Sequence, residues 1–153
     1  MQMSRIARIG GYTLIEMVLV IAIAGILMGF GVVRLAPALE HANVRAAANV
    51  VAGDLQYAQM LAIRYRRPIA VIVASSTKQY LIRDRDDATN VYRTRLLGPD
   101  SDFGLDLVES TPTSVELFPN GVNRETIIFT LGLHGFERKV RMTRAGQIRI
   151  LTP

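Results

Sequence analysis

The chain has 153 residues, the ordinary size of one domain; half are hydrophobic, only 7% are aromatic and Trp is absent, so aliphatic side chains must supply the core. It contains no Cys, which excludes disulfides, thiolate metal sites and thiol nucleophiles. A net charge of +5 suits an acidic partner, such as nucleic acid, anionic lipid or an acidic protein face, without choosing among them.

Residues 17–33 read MVLVIAIAGILMGFGVV without a single charge, and Leu14 and Ile15 extend the run beyond Glu16. That approaches the about 20 residues a helix needs to cross a bilayer. Arg5 and Arg8 precede the run and no acidic residue does, so the positive-inside bias places the N-terminus in the cytoplasm and the remainder outside. A cleaved secretory signal is disfavoured, because the run is longer than the usual apolar region and no small-x-small site follows it; residues 34–37 read RLAP. Glu16 is the anomaly. A carboxyl group at the centre of a membrane helix costs about 2.5–3.5 kcal/mol on the lenient insertion scale, so a partner is expected for it. Gly25 and Gly29 form a small-xxx-small pair that either admits a second helix closely or merely loosens this one.

After Pro37 a second helical pattern covers about 39–66, with Val44, Ala48, Val51, Leu55, Ala58 and Ala62 on one side. Arg64, Arg66 and Arg67 crowd its end, where cations suit the helix dipole, and Pro68 stops it. Short β-prone stretches follow at 69–74, 79–83, 91–96, 114–118, 126–133, 138–143 and 147–151, separated by turn formers. Residues 84–106 hold six of the 13 acidic side chains and are expected to form a variable or mobile loop region. The expected architecture is α+β, a helix packed on antiparallel sheet.

Residues that could carry chemistry are scarce. His41 and His134 have no metal-ligand spacing and no nucleophile beside them, Asp84, Asp86 and Asp87 lack a calcium-loop pattern, and no Gly-rich phosphate loop follows a strand. No enzyme, cofactor or metal site is expected. Beyond Glu137 the chain carries Arg138, Lys139, Arg141, Arg144 and Arg149 and no acid. If 139–143 and 147–151 pair, the two-residue period sends Val140, Met142, Ile148 and Ile150 to one face and Lys139, Arg141 and Arg149 to the other. Together with Arg144 that stripe is a candidate phosphate or DNA surface, although it lacks the interleaved aromatics used for base stacking.

The run Gly10-Gly11-Tyr12-Thr13-Leu14-Ile15-Glu16 before an apolar helix resembles the class III signal of type IV pilins and type II secretion pseudopilins, with Tyr12 where the family more often has Phe. The resemblance implies that a prepilin peptidase cuts after Gly11 and that Tyr12 becomes the N-methylated first residue. It also implies that the Glu16 carboxylate pairs with the amino terminus of a neighbouring subunit. The expected organisation is a leader over 1–11, a transmembrane assembly helix over 12–36 and a periplasmic pilin-like domain over 37–153, held single-pass in a bacterial inner membrane.

Downstream, Arg45-Ala46-Ala47-Ala48-Asn49, the core Leu55-Gln56 with Ala58 and Ala62, Arg66-Arg67-Pro68 before the first strand, Phe118-Pro119-Asn120-Gly121 and a hairpin at Ala145-Gly146 resemble H-type pseudopilins and FimT-type minor pilins. This implies a minor pseudopilin that joins other pseudopilins in a short periplasmic filament of a type II secretion system. The alternative is a FimT-like minor pilin that binds DNA for natural transformation. In that group the signal is Gly-Arg-x-Arg, whereas this chain has Gly146-Gln147-Ile148-Arg149, with one arginine replaced.

Overall fold

This computed structural model describes residues 12–151, and of residues 30–36 the backbone alone. Helix α1 (Leu14–Tyr65) is followed by β1 (Ile69–Ala74), β2 (Gln79–Asp84), β3 (Val91–Leu96), β4 (Leu107–Thr111), β5 (Ser114–Leu117), β6 (Ile127–Leu133), β7 (Phe136–Met142) and β8 (Ile148–Leu151). The strands form two antiparallel sheets, β3-β2-β1-β5 and β4-β6-β7-β8.

The two helical patterns in the sequence are one continuous element that includes Pro37. Proline cannot donate to the carbonyl four residues earlier, so the ladder loses one bond there, yet the Ala- and Leu-rich sequence on both sides propagates the helix through it. The chain nonetheless divides into two compact units after Pro37, the larger one starting at Ala38. The helix ends where Arg66 takes a left-handed conformation (φ 53°) shortly before Pro68.

In the larger unit the helix buries Val44, Ala47, Ala48, Val51, Leu55, Ala58, Leu61 and Ala62. Sheet one meets this stripe with Ile69, Val71 and Val73 of β1, Tyr80 and Ile82 of β2, and Val115 and Leu117 of β5. Sheet two contributes Ile127, Phe129, Leu131, Val140 and Met142 to the same cluster. The ring of Tyr80 meets that of Phe129 edge-on at 5.8 Å, which joins the two sheets inside the core.

Two expectations need correction. Strand β4 lies in a stretch where none was expected; it is a short segment whose alternation is interrupted by Glu109 and Ser110, and it forms by pairing with β6, Leu107 opposite Gly132 and Thr111 opposite Ile128. The segment 84–106 is not a free loop. Asp84 closes β2 in the interior, 1% exposed, and its carboxylate accepts the backbone N–H groups of Asp86 and Asp87 at 2.9 and 3.4 Å. Further on, Leu97 and Leu105 are both fully buried, and Leu105 N–H donates to the Leu97 carbonyl at 2.9 Å, so apolar anchors close the turn that follows β3.

One charged group lies under the helix. Asp54 is 3% exposed and accepts hydrogen bonds from the Tyr80 hydroxyl (2.6 Å), from the Arg95 guanidinium (3.0 and 3.3 Å) and from Arg93. The register explains the convergence, because Tyr80 faces Arg95 and Ile82 faces Arg93 across β2 and β3, so both arginines share the inner face of the sheet. Arg93 also lies over the Tyr57 ring at 4.4 Å. Burial alone would raise the Asp54 pKa, but the hydrogen bonds from Arg95, Tyr80 and Arg93 outweigh it and hold the carboxyl below its ordinary 3.8. Burial and the same carboxylate push the Tyr80 hydroxyl upward, so it remains a donor.

A depressed folded-state pKa means that the unfolded chain binds the proton more readily, so the stabilisation is complete above about pH 4 and is lost as pH falls through the folded value. Asp54→Asn is expected to cost about 2–3 kcal/mol at neutral pH, since two arginines a third exposed lose a charged acceptor. Urea denaturation followed between pH 7 and pH 3 should show the wild type weakening toward the acid end and the variant much less dependent on pH.

Candidate assembly surface

Gly11, the expected processing residue, and the expected leader over 1–11 lie outside the described residues. Tyr12 is 75% exposed. Thr13 caps α1: Glu16 N–H donates to the Thr13 carbonyl at 3.1 Å and to its Oγ1 at 3.3 Å. The spacing Thr13-x-x-Glu16 is that of a capping box, legible in the sequence but not used in reading it, and it puts a carboxylate in the first turn, where the helix dipole favours one. Among the described residues the Glu16 carboxylate has no hydrogen-bond or ion-pair partner of its own, and the residue is exposed.

Around it the helix surface is apolar and uncovered. Leu14, Ile15, Ile21 and Met28 are all more than 70% exposed, and Val18, Leu19, Ile26 and Leu27 more than half. A Cβ added at Gly25 or Gly29 would meet nothing within 4 Å, so both positions leave room for a close neighbour. Among the described residues no helix is long and apolar enough to cross a membrane; the described apolar side chains stop at Met28 and Gly29, while the charge-free run of the sequence continues to Val33.

At the other end of the chain the expected pairing holds. Arg141 stands opposite Arg149, Lys139 opposite Leu151, Val140 opposite Ile150 and Met142 opposite Ile148. Lys139, Arg141 and Arg149 therefore share the outer face, and among the described residues none of them forms an ion pair. Arg144 does not join the strand face; it lies in the turn between β7 and β8, where its carbonyl accepts the Asn123 N–H at 2.7 Å. Two acids missed by the sequence reading also belong to that face. Glu137 lies on the same side of β7, and Glu109 of β4 lines up through Thr130 with Lys139. Sequence distance hid Glu109, because only the pairing of β4 with β6 brings it there.

The β7–β8 corner is tied to the helix. Gln59 Nε2 donates to the Gly146 carbonyl at 3.0 Å, and the buried Asn123 donates through Nδ2 to the Thr143 carbonyl at 2.9 Å. Gly146 has φ 75°, and a Cβ there would run into Gln59 Nε2 and come within 2.7 Å of the Gly121 carbonyl oxygen. Glycine is required at this corner on both counts.

Residues 47–146 match the family model described as type II transport protein GspH. The chain belongs to the GspH family. Residues 6–32 match the model described as the prokaryotic N-terminal methylation motif, which covers Tyr12, Glu16 and both helix glycines. The fold agrees with two kinds of solved structure. The type IV minor pilin FimU of Pseudomonas aeruginosa superposes with TM-scores of 0.56 and 0.58 in two crystal forms, at 18% and 19% identity, over 71% and 73% of this chain and 92% and 90% of that one. The minor pseudopilin EpsH of the Vibrio cholerae type 2 secretion system superposes with a TM-score of 0.56 at 13% identity, over 72% of this chain and 98% of that one. Comparison with curated protein sequences returned no match. A GspH-family chain with a methylation motif and this fold is a minor pseudopilin or minor pilin, as the sequence motifs led us to expect.

In this GspH-family head Gly146→Ala should destabilise by about 1–3 kcal/mol, because it adds a strained left-handed residue and forces the Gly121 backbone to move. A lowered thermal midpoint at unchanged secondary structure would bear this out; a midpoint equal to wild type would show that the corner is slack.

Proposed function

We propose that the chain is a minor pseudopilin of a type II protein secretion system, a structural subunit without enzymatic activity. Prepilin peptidase cuts after Gly11, Tyr12 becomes the methylated first residue, and the helix from Tyr12 onward is retained in the inner membrane. The N-terminus starts in the cytoplasm and the unit from Ala38 lies in the periplasm. Gly25 and Gly29 let neighbouring helices approach, and the Glu16 carboxylate pairs with the amino terminus of an adjacent pilin-like subunit.

The observation that carries this reading is a carboxylate without a partner among the described residues, on an otherwise apolar, uncovered helix surface. In a bilayer that carboxylate is costly by itself. A positive amino terminus supplied by another subunit offsets the cost for both charges and fixes their axial register. An N-terminal capping role alone would explain the position of Glu16 in the first turn, but it gives no reason for the uncovered apolar surface that follows.

DNA capture by Lys139, Arg141, Arg144 and Arg149 has weaker support. The three strand residues share their face with Glu109 and Glu137, Arg144 lies off it in the turn, and among the described residues no aromatic ring stands on that face for bases to stack on.

Full-length Glu16→Ala and Glu16→Gln, expressed beside the other subunits, test the pairing. Both should fractionate with the membrane, while cross-linking into the filament falls about tenfold or more, equivalent to about 1.4 kcal/mol of lost pairing. Incorporation at the wild-type level would refute the role of Glu16.

A further inference from the structure

Strand β8 ends the second sheet, and among the described residues no strand pairs with its outer edge. An open edge presents a row of backbone donors and acceptors to which an extended chain can add. Shortness and a charged residue are ordinary ways of blunting such an edge, and β8 has both. Its side chains point further.

On the outer face Arg141 and Arg149 are directly opposite each other, about 4.5–5.5 Å apart between Cα atoms in such a pair, an arrangement that is unfavourable for like charges. Neither has a carboxylate partner among the described residues, and Arg141 Nε is buried without a hydrogen-bond acceptor. Two guanidiniums side by side with an unmet buried donor are suited to an oxyanion brought in from outside. On the inner face Ile148 packs at the margin of the core, while Ile150 remains 37% exposed. A strand laid along β8 would place alternate side chains beside Arg149, with Arg141 one strand further in reaching outward on the same face, and the intervening ones beside the two isoleucines.

We propose that β8 receives an extended segment of a neighbouring protein subunit in which acidic residues alternate with apolar ones. The acidic side chains pair with Arg149 and Arg141, and the apolar ones cover Ile148 and Ile150. A protein strand fits better than nucleic acid for two reasons on this surface: Glu137 and Glu109 repel a polyphosphate that spans the face, and among the described residues no ring stands there to stack bases. The inference rests on the chain being a subunit of an assembly, but it concerns the head and requires nothing of Glu16.

The test uses the full chain in detergent micelles, titrated by fluorescence anisotropy with a labelled heptapeptide of alternating Glu and Val. Three further probes accompany it: a peptide of the same composition with the Glu residues in one block, an alternating Lys and Val peptide, and an oligothymidylate. The alternating acidic peptide is expected to bind saturably and at least tenfold more tightly than the block or basic peptides. Arg149→Ala with Arg141→Ala should abolish that preference at an unchanged thermal midpoint, and Ile150→Asp alone should weaken binding with the arginines intact. Equal binding of the alternating and block peptides would overturn strand addition, tighter binding of the oligothymidylate would overturn the choice of a protein partner, and no binding of the acidic peptide would overturn the proposal altogether. Because no filament is needed in micelles, failure here leaves the Glu16 result standing, and the reverse also holds.

Discussion

The head is organised around a carboxylate almost wholly withdrawn from water. Asp54 projects from the buried side of α1 into the inner face of the first sheet, where Tyr80, Arg93 and Arg95 converge on it. Left alone it would be among the costliest groups in the domain. Fully bonded, it fixes the rotation and the sliding position of the helix on β2 and β3, because a turn or a shift of one residue would leave the charge unpaired. Hydrophobic contact with the aliphatic core supplies the attraction between helix and sheets, and many small side chains in that core could slip past one another. The polar contact selects one arrangement among them.

That arrangement has consequences at a distance along the same helix. With α1 held in place, Gln59 reaches the Gly146 carbonyl and pins the β7–β8 corner. The neighbouring turn at 118–123 is bound to the same corner through Asn123. Near the start of the unit the His41 ring stacks on Phe136 at 3.9 Å and His134 Nδ1 lies 2.9 Å from Glu40, so both histidines belong to the packing between the helix and the β6–β7 turn. The motifs at 118–121 and 145–146 are therefore structural: they hold the edge of the second sheet against the helix and leave its outer face and β8 exposed.

Much of this was legible in the sequence, and the reason is periodicity. Val44 to Ala62 repeats at helical spacing, and the strands after Pro68 alternate or carry β-branched runs, so helix, strands and the two faces of the last hairpin could be read directly. The Asp54 network could not. An aspartate one position before a core leucine reads as an ordinary polar place on a helix, and its partners lie 26, 39 and 41 residues away. Arg93 and Arg95 likewise suggest an outward face until the pairing of β2 with β3 turns them inward. Acidic and turn-forming residues gave 84–106 the look of a loop, because the two leucines that anchor it are isolated from any repeating pattern. At the N-terminus the motif around Glu16 was plain, while the cap formed by Thr13 shows that the same carboxylate also suits the first turn of a helix.

Assembly through Glu16 requires that the apolar segment be kept and that a new amino terminus be made at Tyr12. Intact mass spectrometry of the native protein from its own membrane reads this directly. The predicted species begins at Tyr12, carries one methyl group on its amino nitrogen and retains Leu14 through Val33. A soluble mature form that begins beyond Val33 would contradict it.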